Sequence, residues 1–403
     1  MPLPLSDIRV VDFCTVYAGP FTAMLMADQG AEVIKIEPPD GDSARTMTLV
    51  DSTDVSLSFL TFNRNKRSVT LDITTPAGKE AAYRLCQWAD VLIINTRVDA
   101  RKRRGFAYED LAAINPRLIY VSLTGYGDEG PEANLPGIDI VIQARVGDIA
   151  SRREPGSPPP RHTPLFHFDM STSLATSFAV MLALREREQT GVGQKIETSL
   201  LQTALSLHSL QMTRVAGVAA RGAVRMEGPR AAYLCADGRY VLNTTINIRR
   251  GWDTLCDTFP LVELVGDPRF LTPEGRLDHT AEIEEILARQ FLTKPAKEWE
   301  ALFKAAGHTA SVVNEIDDIF NDPQVIANDM VTTFEQPGLG MTEAVGRPFR
   351  LSGSAALPWY RRPAPHLGEH TEEVLLEMGY NESDVAAMRA SGALGRVPNL
   401  GDA

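Results

Sequence analysis

Apolar strand patterns alternate with helix patterns over residues 8–216, and few folds are compatible with that order. The run 8–13 predicts a buried strand, 20–29 a helix closed by Gly30, and 32–36 the next strand. Further strand patterns lie at 68–73, 90–95, 117–123 and 194–199, and further helix patterns at 75–88, 175–189 and 200–216. This alternation predicts parallel βαβ units and an α/β fold with a doubly wound sheet, whose binding sites lie outside the carboxyl ends of the strands.

The rest of the chain predicts a second, smaller domain. The stretch 217–229 is rich in Gly, Ala and Arg, which is typical of a linker, and 233–245 predicts two strands around the turn Asp237-Gly238. Helix patterns follow at 249–258, 279–291, 296–306, 370–378 and 382–390, with a Pro- and Gly-rich stretch from Phe334. We therefore predict a large domain at 1–216, a linker at 217–229, a small α+β domain at 230–330 and a return to the large domain at 331–403.

Charge and composition disfavour several classes of partner. The net charge of −12 argues against nucleic acid and anionic membranes. Residues 1–7 lack the segments of a signal peptide, and no apolar stretch is long enough to cross a bilayer. The four cysteines are widely spaced, so we expect a cytoplasmic protein without a metal site. The basic clusters 65–67 and 101–104 could still bind an anionic small molecule, although most charge runs are solvated surfaces.

Asp169 is the residue with the clearest chemical potential. It follows the apolar run 165–168 and comes directly before the long helix pattern that ends at 190–193. An Asp in that place is an N-cap candidate, because its carboxylate can accept free backbone N–H groups at the positive end of the helix dipole. The same surroundings would hold a carboxylate nucleophile ionised and aimed. Capping alone is the more frequent role of an isolated Asp, so the pattern by itself leaves both roles open.

A series of sequence blocks identifies the family. They are IRVVDF at 8–13, AGP at 18–20, ADQGAEVIKIE at 27–37, NRNKRSVTLD at 63–72, ADVLI at 89–93, YEDL at 108–111, NPRLIY at 115–120, TGVGQ at 190–194, DPQV at 322–325 and RPAPHLGEHT at 362–371. In content and order these blocks resemble the class III CoA-transferases, the CaiB/BaiF-like family that includes formyl-CoA and carnitine CoA-transferases. They span nearly the whole chain, which makes the resemblance specific.

The resemblance implies a Rossmann-like large domain that binds CoA, a smaller domain, and an interlocked homodimer in which two chains thread through each other. The family's catalytic aspartate precedes the helix that leads to the TGxGQ stretch, and Asp169 occupies that position. The residues that the resemblance assigns to CoA are Tyr17, Ala18, Asn65, Lys66, Arg67, Ser68, Asn95, Thr96, Arg103, Pro136, Gly137, Ile138 and Asp139. The Ala18 N–H is in addition a candidate oxyanion-hole donor, and the phosphates of CoA suit Arg and Lys.

The implied reaction takes an acyl-CoA thioester and a small carboxylic acid as substrates and needs no tightly bound cofactor. Asp169 would attack the thioester, and an aspartyl-CoA thioester would carry CoA to the acceptor acid. Two departures from the family pattern bear on the substrates. The usual Glu-Asn-Phe-Arg-Pro-Gly reads Ile94-Asn95-Thr96-Arg97-Val98-Asp99 here, which bears on the adenine and phosphate contacts at Thr96 and Arg103. The stretch 243–252 is not glycine-rich, so we do not expect a formyl/oxalate pair. Arg249 or Arg250 could reach a second carboxylate, although a surface helix start is the more frequent role.

Three other functions are compatible with parts of the pattern. The α-methylacyl-CoA racemases share the fold, but they carry a His where this chain has Ile138 and a Gly pair where it has Ser171-Thr172-Ser173. An NAD-dependent oxidoreductase would need GxGxxG in the turn 15–20, which lacks it. A non-catalytic CoA-binding protein would not need Asp169. His162 and His167 could orient an acceptor acid, although a histidine near a site is more often structural.

Overall fold

The computed structural model describes residues 2–50, 53, 55–153, 157–158, 160–163, 165–217, 232–243, 252, 256, 264–354 and 358–395. The chain forms two units, Met1–Val218 with Met330–Ala403 and Ala219–Asp329. The predicted linker lies outside the described residues except for Gly217, and so do Arg249 and Arg250.

A six-stranded parallel sheet organises the first unit, which confirms the predicted α/β class. Its strands are β1 (Arg9–Phe13), β2 (Glu32–Glu37), β3 (Lys66–Thr70), β4 (Val91–Ile94), β5 (Ile119–Thr124) and β6 (Lys195–Ser199). The order across the sheet is β3-β2-β1-β4-β5-β6. Because the chain leaves β1 in one direction and later returns to its other side as β4, a crevice opens at the carboxyl ends of these two strands.

Helices cover both faces of this sheet. The helices of the first unit are α1 (Ala18–Ala27), α2 (Leu57–Asn63), α3 (Pro76–Trp88), α4 (Val98–Arg104), α5 (Tyr108–Ala112), α6 (Asp139–Arg145), α7 (Asp148–Ser151), α8 (His167–Thr190), α9 (Leu200–Leu207) and α10 (Ser209–Met212). Where the pattern predicted one helix over 200–216, the structure has α9 and α10, separated at His208. Alternate strand residues feed two cores, with Val10 and Val33 on one face and Val11 and Ile34 on the other. Burial on both faces explains why these strands are apolar throughout.

The second unit combines a small antiparallel sheet with helices. Its strands are β7 (Ala232–Leu234), β8 (Tyr240–Asn243) and β9 (Ala310–Val312), in the order β7-β8-β9. Its described helices are α11 (Pro273–Asp278), α12 (Thr280–Phe291), α13 (Ala296–Ala305) and α14 (Pro323–Ala327), with 3₁₀ turns at Pro268–Phe270 and Ile316–Asn321. An aromatic core holds it together, in which Tyr233 stacks on Phe291 with ring centroids 4.8 Å apart.

The chain then returns to the first unit through a hairpin that the Pro- and Gly-rich pattern did not predict. Strands β10 (Val331–Gln336) and β11 (Gly340–Val345) pair antiparallel, and α15 (Thr371–Glu377) and α16 (Glu382–Ala390) follow. Only Phe334 and Gln336 are buried in the hairpin, so its apolar signal is weak. None of the described helices combines the length and apolar character needed to cross a bilayer.

Candidate active site

A cavity of about 370 Å³ opens at the carboxyl ends of β1, β4 and β5. It lies at the crevice that the strand order predicts for a binding site. The predicted site residues on its wall are Tyr17, Ala18, Asn95, Pro136, Gly137, Ile138, Asp139 and Asp169. The structure therefore brings the candidate nucleophile and these predicted CoA contacts to one place.

Asp169 lies in the first turn of α8, not at its N-cap. The N-cap residue is Phe166, which has a left-handed φ of 46° and makes no side-chain cap. The carboxylate of Asp139 caps the helix instead, because its Oδ2 accepts the N–H of Phe168 at 2.7 Å and the N–H of Asp169 at 2.9 Å. Of the two roles that the sequence left open, the structure therefore does not show N-capping by Asp169, and the residue lines the cavity.

Asp139 is fully buried at the start of α6 and is held from a second side. Gln143 Nε2 donates to Asp139 Oδ1 at 2.6 Å and to the carbonyl of Thr163 at 3.0 Å, while Gln143 Oε1 accepts the Thr163 N–H at 3.0 Å. This arrangement fixes the segment before α8 against α6. Asp139, predicted as a CoA contact, thus also positions the backbone that carries Asp169.

Burial and the neighbouring carboxylate of Asp139 make the Asp169 carboxyl harder to ionise. Burial, reinforced by the negative charge of Asp139, raises the pKa of the Asp169 carboxyl to about 7. Near neutral pH the group is therefore divided between the acid and the carboxylate. Such a shift beside a cavity is characteristic of groups that take part in chemistry.

The turn between β1 and α1 forms another wall of the cavity. Val16 has a left-handed φ of 70°, which costs a β-branched residue about 1–3 kcal/mol. Helix α1 begins at Ala18 and has no side-chain cap. The N–H groups of Ala18 and Gly19 have no acceptor among the described residues. Of these two residues Ala18 lines the cavity, so its N–H is the candidate to stabilise negative charge on an oxygen there.

Ser173, which the sequence marked only as part of the departure from the racemase pattern, connects this turn to α8. Its Oγ contacts the carbonyl oxygen of Ala18 at 2.7 Å and that of Asp169 at 2.8 Å. Asn95 holds the turn from the other side, because its Oδ1 accepts the Thr15 N–H at 3.1 Å and its Nδ2 donates to the Thr15 carbonyl at 2.9 Å. The side chains of both residues form hydrogen bonds with backbone groups, and the residue type alone does not indicate this role.

The predicted block Asn65-Lys66-Arg67-Ser68 does not reach this cavity. Lys66 is fully buried, and its Nζ donates at 2.8 Å to Asp12, to the carbonyl of Pro20 and to Asn63. Burial, against the opposing effect of Asp12, lowers the pKa of Lys66 to about 8.

The other side chains of that block also have partners inside the protein. The pairs are Asn65 with Asp28, Arg67 with Glu32, Glu373 and Glu377, and Ser68 with Glu37. In this structure the block therefore connects β3 to α1, to β2 and to the C-terminal segment. None of its four side chains faces the cavity that holds Asp169.

A second cavity of about 240 Å³ adjoins the first, and Thr15 lines both. Thr96 and Arg104 lie on its wall, whereas the predicted contact Arg103 does not. Arg97, which was not predicted as a contact, lines the first cavity together with Asp169. Its place just after β4, at a strand's carboxyl end, is a signal that could have identified it.

The remaining polar candidates lie away from the cavity wall. His167 Nε2 is 3.9 Å from Asp148 Oδ1, and its ring centroid is 4.3 Å from that of Phe168. His162 is exposed. Across the described parts of the chain, no three His, Cys, Asp or Glu side chains are placed to share a metal ion.

The Pro136–Asp139 loop depends on a close backbone crossing. A Cβ added to Gly137 would lie 2.1 Å from the Cα of Gly125. We expect Gly137→Ala to destabilise the protein by about 1–3 kcal/mol in urea unfolding and to lower kcat, because the displaced loop carries Asp139. Gly353→Ala, at a glycine with open space around it, is the control and should change stability by less than about 0.5 kcal/mol. Equal behaviour of the two variants would contradict this role of the crossing.

Comparison with known proteins shows the family of this chain. Residues 5–371 match the sequence profile of CoA-transferase family III. A formyl-CoA:oxalate CoA-transferase from Streptomyces avermitilis is 32% identical, over 98% of this chain and 100% of that protein. A succinyl-CoA:glutarate CoA-transferase from Mus musculus is 30% identical, over 97% of this chain and 90% of that protein.

A solved structure shares the fold. The crystal structure of a CAIB/BAIF family protein from Brucella suis superposes with a TM-score of 0.82 at 30% identity, and the match covers 94% of this chain and 100% of that one. These findings confirm the resemblance that the sequence blocks indicated. The chain belongs to CoA-transferase family III.

Proposed function

We propose that this CoA-transferase uses Asp169 as a nucleophile to move CoA from an acyl-CoA thioester to a free carboxylic acid. The observation that carries the proposal is the joint placement of three features at the sheet's crevice. These are a half-buried carboxyl with a raised pKa, the free N–H groups at the start of α1, and a cavity between them. A carboxylate is a weak nucleophile, so position and oxyanion stabilisation must supply most of the rate.

CoA would extend across the two neighbouring cavities. The acyl thioester would lie in the first, beside Asp169 and Ala18, and the chain of CoA would pass Thr15 into the second. Arg104 on the wall of the second cavity offers a guanidinium to a phosphate. The unit Met1–Val218 with Met330–Ala403 would then serve as the CoA-binding domain.

The proposed reaction has four transfers. The Asp169 carboxylate attacks the thioester carbonyl, CoA thiolate leaves, and a mixed aspartyl–acyl anhydride forms. The thiolate then attacks the aspartyl carbonyl, which releases the donor acid and leaves an aspartyl-CoA thioester. The acceptor carboxylate attacks that thioester to give a new anhydride and thiolate. The thiolate finally attacks the acyl carbonyl, so that the new acyl-CoA forms and Asp169 returns as a carboxylate.

Arg97 is the lining residue best suited to a second carboxylate on the substrate, since relatives are named for succinyl-CoA and glutarate. We expect Arg97→Ala to raise KM for succinyl-CoA by at least about tenfold, the usual cost of a lost charged contact. The KM for butyryl-CoA, which has the same length but no second carboxylate, should change little. An equal rise with both thioesters would show that Arg97 contacts CoA itself.

We further propose that the protein is a homodimer, interlocked as the resemblance implies. Helix α8 leaves a row of apolar side chains exposed, among which Leu174, Phe178 and Leu182 are 46%, 65% and 55% accessible. Such a contiguous apolar face fits a second copy of the chain. Sedimentation equilibrium should give twice the 44.1 kDa mass of one chain, and Phe178→Asp should weaken the association. A monomeric wild-type protein at micromolar concentration would refute the dimer.

The direct test of the function is mass spectrometry of the intact protein after incubation with a panel of acyl-CoAs. An aspartyl-CoA thioester quenched with hydroxylamine leaves a hydroxamate on Asp169, and borohydride leaves a reduced side chain. We expect one of these modifications with at least one donor. If Asp169 stays unmodified while the α-proton of a branched acyl-CoA exchanges in deuterated water, the racemase alternative is correct.

A further inference from the structure

The strained turn at Val16, before α1, is held by two charged side chains, Asp42 and Lys35, to which the proposed reaction gives no role. Val16, with its left-handed φ of 70°, lies directly before Tyr17 and Ala18 on the cavity wall. The Val16 N–H donates to Asp42 Oδ1 at 3.0 Å. Without that acceptor, a β-branched residue would relax towards negative φ and turn the following peptide groups with it.

Asp42 is itself fixed by a buried lysine. Lys35 Nζ lies 2.9 Å from Asp42 Oδ2, and both side chains are 0% exposed. The same ammonium donates to the carbonyl of Cys14 at 2.7 Å. Although burial alone would lower it, the carboxylates of Asp12 and Asp42 hold the pKa of Lys35 above its ordinary value. The lysine is therefore ionised and connects the residue before the turn to the acceptor of the Val16 N–H.

Deepening the proposed function, on which this inference rests, we propose that Asp42 and Lys35 are positioning residues: they hold Val16 in its left-handed conformation and thereby aim the N–H groups at the start of α1 into the cavity. A purely structural role for Asp42 is the alternative, since its Oδ1 also accepts the Ala44 N–H at 2.9 Å and so caps the 3₁₀ turn Ser43–Thr46. The two roles differ in what a glycine at position 16 should do.

A double-mutant cycle separates these roles. If Asp42 holds Val16, Asp42→Ala should lower the rate of Asp169 trapping by about 10- to 100-fold, less than the roughly 10²- to 10³-fold cost of removing an oxyanion donor outright. Val16→Gly adopts positive φ without strain, so in the Asp42→Ala background it should recover at least about threefold of that loss. Asp42→Asn keeps an acceptor oxygen and should fall between wild type and Asp42→Ala. Asp90→Ala is the control. It breaks the ion pair with Arg187 at the amino-terminal end of β4, away from the cavity, and should leave the trapping rate unchanged.

The readouts distinguish this inference from the proposed function. CoA affinity should fall less than the trapping rate, because the turn acts on the reacting carbonyl. Losses from Asp42→Ala and Val16→Gly that simply multiply would overturn the positioning role, and so would an Asp42→Ala protein with wild-type trapping. If the wild type is never trapped, the proposed nucleophile fails. The same cycle in thermal unfolding then decides whether Asp42 holds Val16, because coupling between the two sites supports the contact and additivity refutes it.

Discussion

Asp169→Ala is expected to reduce CoA transfer by at least about 10⁴-fold, because it removes the group that must form three covalent intermediates, two anhydrides and one thioester. Binding of CoA should survive, since no other wall of the cavity depends on this side chain. Steady-state turnover and calorimetric titration with CoA measure the two effects. Asp169→Asn keeps the shape of the side chain and should be equally inactive, provided that mass spectrometry excludes deamidation back to aspartate.

The same substitution should not weaken the fold. Asp169 is half-buried beside the negative charge of Asp139, and its pKa is raised to about 7, so the folded protein disfavours its ionised form. Alanine removes that cost, and we expect the midpoint of thermal unfolding to stay the same or to rise. An inactive protein with unchanged CoA affinity and undiminished stability would identify chemistry as the function of Asp169. Turnover near the wild-type rate would refute the nucleophile assignment.

Sequence patterns located this site because a parallel sheet has simple geometry. Apolar strands buried on both faces are visible as continuous runs, and their carboxyl ends must meet at one edge. The resemblance to the family assigned Ala18 and Asn95 to CoA, and their places in the segments after β1 and β4 are consistent with one crevice. The order of the strands across the sheet, which creates that crevice between β1 and β4, follows from packing over long distances in the chain.

What the patterns could not supply are the partners of individual side chains. Asp139 and Asp169 are 30 positions apart, and nothing local indicates that one caps the helix of the other. Lys66 belongs to a basic cluster that looks available to phosphates, yet the fold directs its ammonium into a buried site with Asp12. The hairpin of β10 and β11 buries few side chains, so its pattern resembles a loop. Each difference depends on tertiary contacts, which the local propensity of a sequence segment does not determine.

The pH dependence of kcat/KM is the second large effect that we expect. The nucleophile must be ionised, and its pKa in the free enzyme is raised to about 7. Activity should therefore rise with pH, level off above the pKa, and fall tenfold for each pH unit below it. Two pH units below the pKa of Asp169, kcat/KM should be about 100-fold below its plateau value, because only about one molecule in a hundred carries the carboxylate.

Asp139→Asn tests the cause of that shift. The amide oxygen can still accept the N–H groups of Phe168 and Asp169, so the helix stays capped. The like charge beside Asp169 is lost, together with the hydrogen bond from Gln143 Nε2, which the amide nitrogen cannot accept. The acidic limb should then move to lower pH, and it should stay above the pKa of an exposed aspartate because burial still opposes ionisation. Titration of a CoA phosphate, with a second pKa near 6, would produce a limb that does not respond to this variant. An unmoved limb would therefore assign the pH dependence to the substrate, and a limb that moves would assign it to Asp169.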